Sequence, residues 1–348
     1  MRVFVRTAML MVVMGGPAVL IAPASAQVSP EFSNEKIVLF EHAKGDGGYW
    51  TTTLPDPQNP DKSKQVEQPI SPDRVPIRAS MMQRRILEEY AEFLSPLRLP
   101  RTLRVFASDC NGSAWDSPYY DSGPFHRWMN LCYSFIADAQ RKADYLVKNQ
   151  SAMKLWTPVS KDQLQAGLFA ATLLHETGHA VFDLLDVPVF GREEDAADQM
   201  AAFIALQFGK ANARTVIKGF AYFWGYEAIV DKADPGAVVI DPSDPRYPKD
   251  DPNKRCFLDA FCAFSDQHGT ASQRMYNVLC LAYGGEKAAF QDLVDSHWLP
   301  PARAKGCDTE YQQVYQAFRK TVFPFIDPIQ MKKVQARQWF AAKEIEEK

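Results

Sequence analysis

The stretch Ala170-Ala-Thr-Leu-Leu-His-Glu-Thr-Gly-His-Ala-Val-Phe182 constrains this chain more than any other. It is apolar enough to be a buried helix, yet it carries His175, Glu176 and His179 at its centre. Residues four apart on a helix project from nearly the same face, so the two imidazoles can offer nitrogens to one metal ion. Glu176 lies roughly 100° round the helix, where it reaches a metal-bound water more easily than the metal itself. The competing reading is two partly buried histidines beside a surface glutamate. The metal reading leads.

Two histidines do not complete a protein zinc site; a third ligand is needed, with water in the fourth position. One class of zinc peptidases places a third His soon after a Gly three residues past the second His. Here that Gly position is Phe182 and no His appears before His268, which excludes that class. The candidate lies in Glu193-Glu-Asp-Ala-Ala-Asp198, at the start of a second helix running to about Phe208. A short reversal through Asp186-Val-Pro188 and Gly191 stacks the two helices antiparallel, turning Glu194 back towards His175 and His179. Asp198, one turn on, is placed to accept a hydrogen bond from a ligating imidazole and fix its tautomer. Glu193 is the rival ligand, and an acidic first turn that only complements the helix dipole is the bland alternative. The first helix opens at a Ser160/Gln163 capping box and packs through Leu164, Leu168, Ala171, Leu174 and Gly178. Gly178 lets another backbone approach closely beside the metal.

These residues resemble the gluzincin zinc peptidases, whose second motif, Glu-x-x-x-Asp, is Glu194-Asp-Ala-Ala-Asp198 here. The chain is more similar still to the DUF4344 family of secreted bacterial metallopeptidases. Supporting stretches are Leu131-Cys-Tyr133, His175-Glu-Thr-Gly-His-Ala180, Gly191-Arg-Glu-Glu-Asp-Ala-Ala-Asp198 and Asp266-Gln-His268. Gln273-Arg-Met-Tyr-Asn-Val-Leu-Cys280 and Arg303-Ala-Lys-Gly-Cys307 extend the likeness through residues 100–320. Thr177 departs from the pattern, because such proteins more often carry an apolar residue after the Glu. The resemblance implies peptide hydrolysis and names no substrate. It also makes His268 a candidate to stabilise the oxyanion, oriented by Asp266, with Arg274 as a second donor. A purely structural His268 stands against that role. His42, His126 and His297 read as ordinary residues.

The rest of the chain fits an exported enzyme. Residues 1–26 carry Arg2 and Arg6, an apolar run from Ala8 to Ile21 and Ala24-Ser-Ala26, a signal peptide cleaved before Gln27. Its removal takes two positive charges, moving the formal net charge from -3 to -5. A mildly acidic chain with no basic block gives no support for nucleic-acid binding. No later run is long enough for stable membrane insertion, so a periplasmic or extracellular protein is expected. In that setting six cysteines read as three disulfides, among 15 possible pairings. Proximity suggests Cys110 with Cys132, Cys256 with Cys262 and Cys280 with Cys307.

The expected fold class is α+β and zincin-like, mostly helical with a small N-terminal sheet, the metal helix packed on the second ligand-bearing helix. Residues 27–76 read as a hairpin, Lys36–Phe40 with Tyr49–Thr53, followed by a Pro-rich linker. The metallopeptidase domain spans 77–325. It begins with a helix capped by Ser80 and Gln83, whose inner face is Met82, Ile86, Tyr90, Phe93 and Leu94. Thr102–Ala107 and Trp128–Tyr133 alternate like strands. Phe220, Tyr222, Phe223 and Trp224, in a helix from Ala211 to Asp231, read as core rather than cleft lining. Residues 231–255 are an acidic, Pro-rich excursion without calcium-loop spacing. A charged helical tail, 326–348, is expected at the end.

The mechanism that follows uses one Zn²⁺ on His175, His179 and Glu194, lowering the pKa of its bound water. Glu176 takes a proton from that water and returns one to the leaving amine. The substrate is a peptide or protein, with the Thr102–Ala107 strand as a possible edge for pairing. An inactive zincin-like binding or assembly module, and a zinc amidase acting on a cell-wall amide, are the alternatives. Glu176 argues against the first, since a structural site needs no base.

Overall fold

Short strands precede a run of long apolar helices, and the resulting architecture is mostly helical with a small sheet on its N-terminal side. The computed structural model describes residues 37–41, 49–56, 59–69, 72–108, 118–122, 127–230 and 268–339, with side chains from residue 72 onward. The first strands are β1 (Ile37–Glu41), β2 (Tyr49–Asp56) and β3 (Asn59–Pro69). Helices α1 (Val75–Arg84) and α2 (Ile86–Phe93) follow, then β4 (Leu103–Ser108), β5 (Tyr119–Asp121) and β6 (Trp128–Cys132). The main sheet has the order β1-β4-β6-β5; β1, β4 and β6 run parallel and β5 pairs antiparallel with β6.

After the sheet come α3 (Tyr133–Lys148), α4 (Lys161–Leu184), α5 (Glu193–Gln207) and α6 (Lys210–Ile229). Then follow α7 (Ala271–Gly285), α8 (Lys287–Asp295), α9 (Pro301–Ala304), α10 (Cys307–Thr321) and α11 (Pro328–Gln335). Helix α4 is the central element, packed against α3, α5 and α6. Ala170, Ala171, Leu173, Leu174, Ala180 and Val181 are all buried, as expected of a helix apolar on nearly every side. Its small residues set the spacing. A Cβ on Gly219 of α6 would meet the Gly167 carbonyl carbon at 2.1 Å, and one on Gly178 would meet the Ala197 Cα of α5 at 2.9 Å. The α4–α6 and α4–α5 contacts are therefore backbone-close, as expected at Gly178. The Ser160/Gln163 capping box opens α4, and a Thr270/Gln273 box opens α7.

Several sequence expectations are corrected. No hairpin joins β1 to β2: β1 pairs parallel with β4, and β2 pairs antiparallel with β3. The stretch read as a Pro-rich linker supplies β3. Its prolines are tolerated because each strand of a two-stranded ribbon keeps one edge that donates no ladder bond. The first helix starts at Val75 with Pro76 in its first turn, not at a Ser80 cap, and breaks where Arg85 takes φ 52°. That break rotates the face, so Ile77 and Met81 are buried and Met82 is exposed. The C-terminal helix ends at Gln335, and the chain then buries Trp339 against Phe93, ring centroids 5.7 Å apart.

Cys280 and Cys307 form the expected disulfide, with Cα atoms 5.0 Å apart. Cys132 is also disulfide-bonded, to a partner outside the described residues. Cys110, Cys256, Cys262, Asp266 and the signal segment likewise lie outside them. Among the described residues no helix is long and apolar enough to cross a membrane.

Candidate metal centre

The two histidines of α4 meet the first turn of α5. Close packing at Gly178 against Ala197 makes this possible, because it brings the acidic start of α5 within reach of both imidazoles. His175 Nε2 lies 3.3 Å from His179 Nε2 and 3.0 Å from Glu194 Oε2, and His179 Nε2 is 3.6 Å from Glu194 Oε1. Three ligands at 2.0–2.2 Å from one tetrahedral ion stand about 3.3–3.6 Å apart, so the cluster has the dimensions and donor chemistry to hold a metal. Among the described residues this is the one His/Cys/Asp/Glu group with that capacity.

The outer ring nitrogens are occupied as well. His175 Nδ1 is 2.8 Å from Asp198 Oδ1, and His179 Nδ1 is 2.7 Å from Glu193 Oε1. Both Nδ1 atoms thus face a carboxylate, and a neutral ring that donates from Nδ1 has its Nε2 lone pair directed at the centre, as ligating histidines require. Asp198 is thus in contact with one of the two imidazoles. Glu193, the rival ligand, sits behind His179 instead.

Asp198 is fully buried and is gripped from its far side by Arg274 of α7. Arg274 donates from Nε to Oδ2 at 2.6 Å and from Nη2 to Oδ1 at 2.7 Å. Burial pushes the Asp198 carboxyl up, but Arg274 and His175 more than offset this and hold it below its ordinary range. Burial would lower the His175 imidazole, yet the Asp198 and Glu194 carboxylates raise it to about 9. Glu194 is drawn well below the usual carboxylate range, its burial outweighed by hydrogen bonds from His175, His179 and His268. Acidic charge therefore surrounds the paired imidazoles, which favours a cation at their centre.

Glu176 is buried and has no hydrogen-bond partner among the described residues. It lines a cleft of about 1220 Å³ together with His175, His179 and Glu194. Burial raises its carboxyl, with the neighbouring imidazoles opposing. His268, at the head of α7, places Nε2 3.0 Å from Glu194 Oε2, and its carbonyl accepts from Arg192 at 3.3 Å. Arg274, considered as an oxyanion donor, is committed to Asp198. Thr177, the departure from the family pattern, donates its hydroxyl to the Leu173 carbonyl at 2.6 Å. It accepts from the buried Tyr90 hydroxyl at 2.7 Å, so the polar group is satisfied behind the metal helix.

Sequence reasoning missed three things here. The Arg274–Asp198 clamp spans 76 positions and left no local signal. Of the four aromatics read as core, Phe220 and Tyr222 are buried, whereas Phe223 and Trp224 are partly exposed and line the cleft, with Phe220 at its floor. Among the described residues β1 and β5 are the outer strands of the sheet, and the strand near Thr102–Ala107 is interior, because β4 is flanked by β1 and β6.

The described fold and site are those of a mostly helical α+β protein with a His-His-Glu group able to hold a metal ion. The DUF4344 family, described as "Putative metallopeptidase", matches residues 67–322, and the chain belongs to it. No curated protein and no solved structure matches the chain.

Proposed function

We propose that the chain is a zinc-dependent peptide hydrolase of zincin-like fold, exported by its N-terminal signal segment. The observation that carries this reading is Glu176, a buried acid with no hydrogen-bond partner among the described residues, facing the cleft beside a centre of metal-site dimensions. His175, His179 and Glu194 would hold the ion. When bound, zinc supplies Lewis acidity, which makes a water nucleophilic near neutral pH and polarises a carbonyl.

The chain's own groups do the rest. Glu176 accepts the proton of the attacking water on its carboxylate and returns it to the leaving amine. Its raised affinity for protons suits an acid–base group that must hold a proton briefly. Asp198 and Glu193 keep both imidazoles in the Nδ1–H tautomer. His268 is the donor available to a developing oxyanion, moving from Glu194 to the substrate oxygen. Tyr119 and Tyr120 of the outer strand β5 line the cleft, where an extended peptide would lie along them.

Hydrolysis of an unfolded protein by the zinc-loaded chain tests this reading against its Glu176→Gln variant. Equal metal content with activity reduced about 10²–10⁴-fold is expected. Equal weak activity in both would favour a binding module, and release only from cell-wall crosslinks would favour an amidase.

A further inference from the structure

An aromatic wall runs along the cleft beside the metal centre. Phe220, Phe223 and Trp224 of α6 line it with Phe135 of α3 and Leu168 and Ala171 of α4. Ring centroids of Phe135 and Phe223 are 6.0 Å apart, and those of Phe223 and Trp224 are 4.8 Å apart. Two buried cations hold these rings. The Lys142 ammonium lies 4.4 Å from the Phe223 centroid, and the Arg274 guanidinium lies 4.1 Å from that of Trp224. Each cation is itself pinned, Lys142 by Asp138 at 2.6 Å and by Glu227, Arg274 by both oxygens of Asp198. Rings fixed in this way form a preorganised surface that loses little freedom when a ligand docks.

The wall begins next to the reacting centre. Arg274, whose guanidinium carbon stacks over Trp224, also places Nη2 3.4 Å from His175 Nδ1, so one side chain separates the indole from a proposed ligating imidazole. Phe223 and Trp224 stay partly exposed in a helix whose other aromatics, Phe220, Tyr222 and Tyr226, are buried. The acid on the same helix face, Glu227, is already neutralised by Lys142, so a basic side chain would gain little there.

Building on the peptide-hydrolase reading, we propose that this wall is a substrate subsite. It selects a bulky apolar side chain, aromatic or long aliphatic, on a residue flanking the scissile bond. Burying such a side chain against rigid aromatic surface contributes enough to favour Phe or Leu over Gly by about 10- to 100-fold.

The test is calorimetric titration of the zinc-loaded full chain carrying Glu176→Gln, using blocked pentapeptides Ala-Ala-X-Ala-Ala with X as Gly, Lys, Leu or Phe. Phe and Leu peptides should bind about 10- to 100-fold more tightly than Gly, and Lys no better than Gly. Adding Phe223→Ser should reduce that preference about tenfold, whereas Phe223→Leu should keep most of it, both with native circular dichroism. Equal or undetectable affinity for all four peptides would overturn the subsite, as would an undiminished preference in a folded Phe223→Ser protein. The readout is binding, so inactivity of the native enzyme would count against peptide hydrolysis and leave this preference measurable.

Discussion

Asp198 carries more of the site than its position outside the proposed ligand set suggests. It fixes His175 and is the counter-ion of Arg274, which is only 5% exposed. Asp198→Ala should weaken zinc affinity about 10–100-fold, because it frees the imidazole. It should also cost about 3–5 kcal/mol in urea unfolding, because a buried guanidinium loses its partner. Unchanged zinc affinity would remove Asp198 from the orienting role. Proton linkage gives a second prediction. His175 titrates at about 9 in the fold against an ordinary value of 6.5, so its imidazolium form stabilises the metal-free protein. That contribution is fully present below about pH 6.5 and is lost as pH rises through about 9. Zinc requires the neutral ring, so melting temperatures of the metal-free protein should fall over this window while zinc affinity rises. A flat affinity from pH 6 to 9 would contradict the assignment. Thr177 is a simpler case. Thr177→Val leaves the buried Tyr90 hydroxyl only the weak Met129 sulfur acceptor and should cost about 1–3 kcal/mol, leaving zinc affinity unchanged.

Among the elements, the α4–α5 pair decides whether the three proposed ligands meet. Gly178→Ala would drive a Cβ to 2.9 Å from Ala197 Cα and 3.1 Å from its Cβ, with backbone on the far side. The helices must then separate, carrying Glu194 and Asp198 away from the imidazoles. A loss of about 1–3 kcal/mol is expected, together with weaker zinc binding, measurable by thermal melts and metal titration. An α5 shift without weaker binding would show that the pair is more tolerant than its spacing implies. This pair was also the most legible part of the chain. His175, Glu176, His179, Glu194 and Asp198 are separated by helical repeats and one short reversal, so local periodicity placed them. The α1–α2 region was less legible, because the left-handed residue at Arg85 rotates the apolar face and no Gly marks the break.

At the level of the whole molecule, what the sequence did not reveal was mostly long-range. Pairing of β1 with β4 joins residues more than sixty positions apart, and no local pattern of Ile37–Glu41 distinguishes it from a hairpin arm. The Arg274 clamp and the cleft role of Phe223 and Trp224 likewise arise only once α6 and α7 pack beside α4. The Cys280–Cys307 bridge ties α7 to α10 across 27 residues. The chain-entropy view assigns a loop of that size about 3–4 kcal/mol, so reduction should lower the urea midpoint while α4 and α5 still bind zinc.

The central claim is that this tertiary arrangement makes one zinc site from His175, His179 and Glu194. Anomalous diffraction at the zinc edge from crystals of the zinc-loaded full chain tests it most directly. A single strong peak is expected, about 2.0–2.2 Å from both Nε2 atoms and a Glu194 oxygen. No peak between the two histidines, or one whose carboxylate ligand is Glu193 with Glu194 turned away, would contradict it.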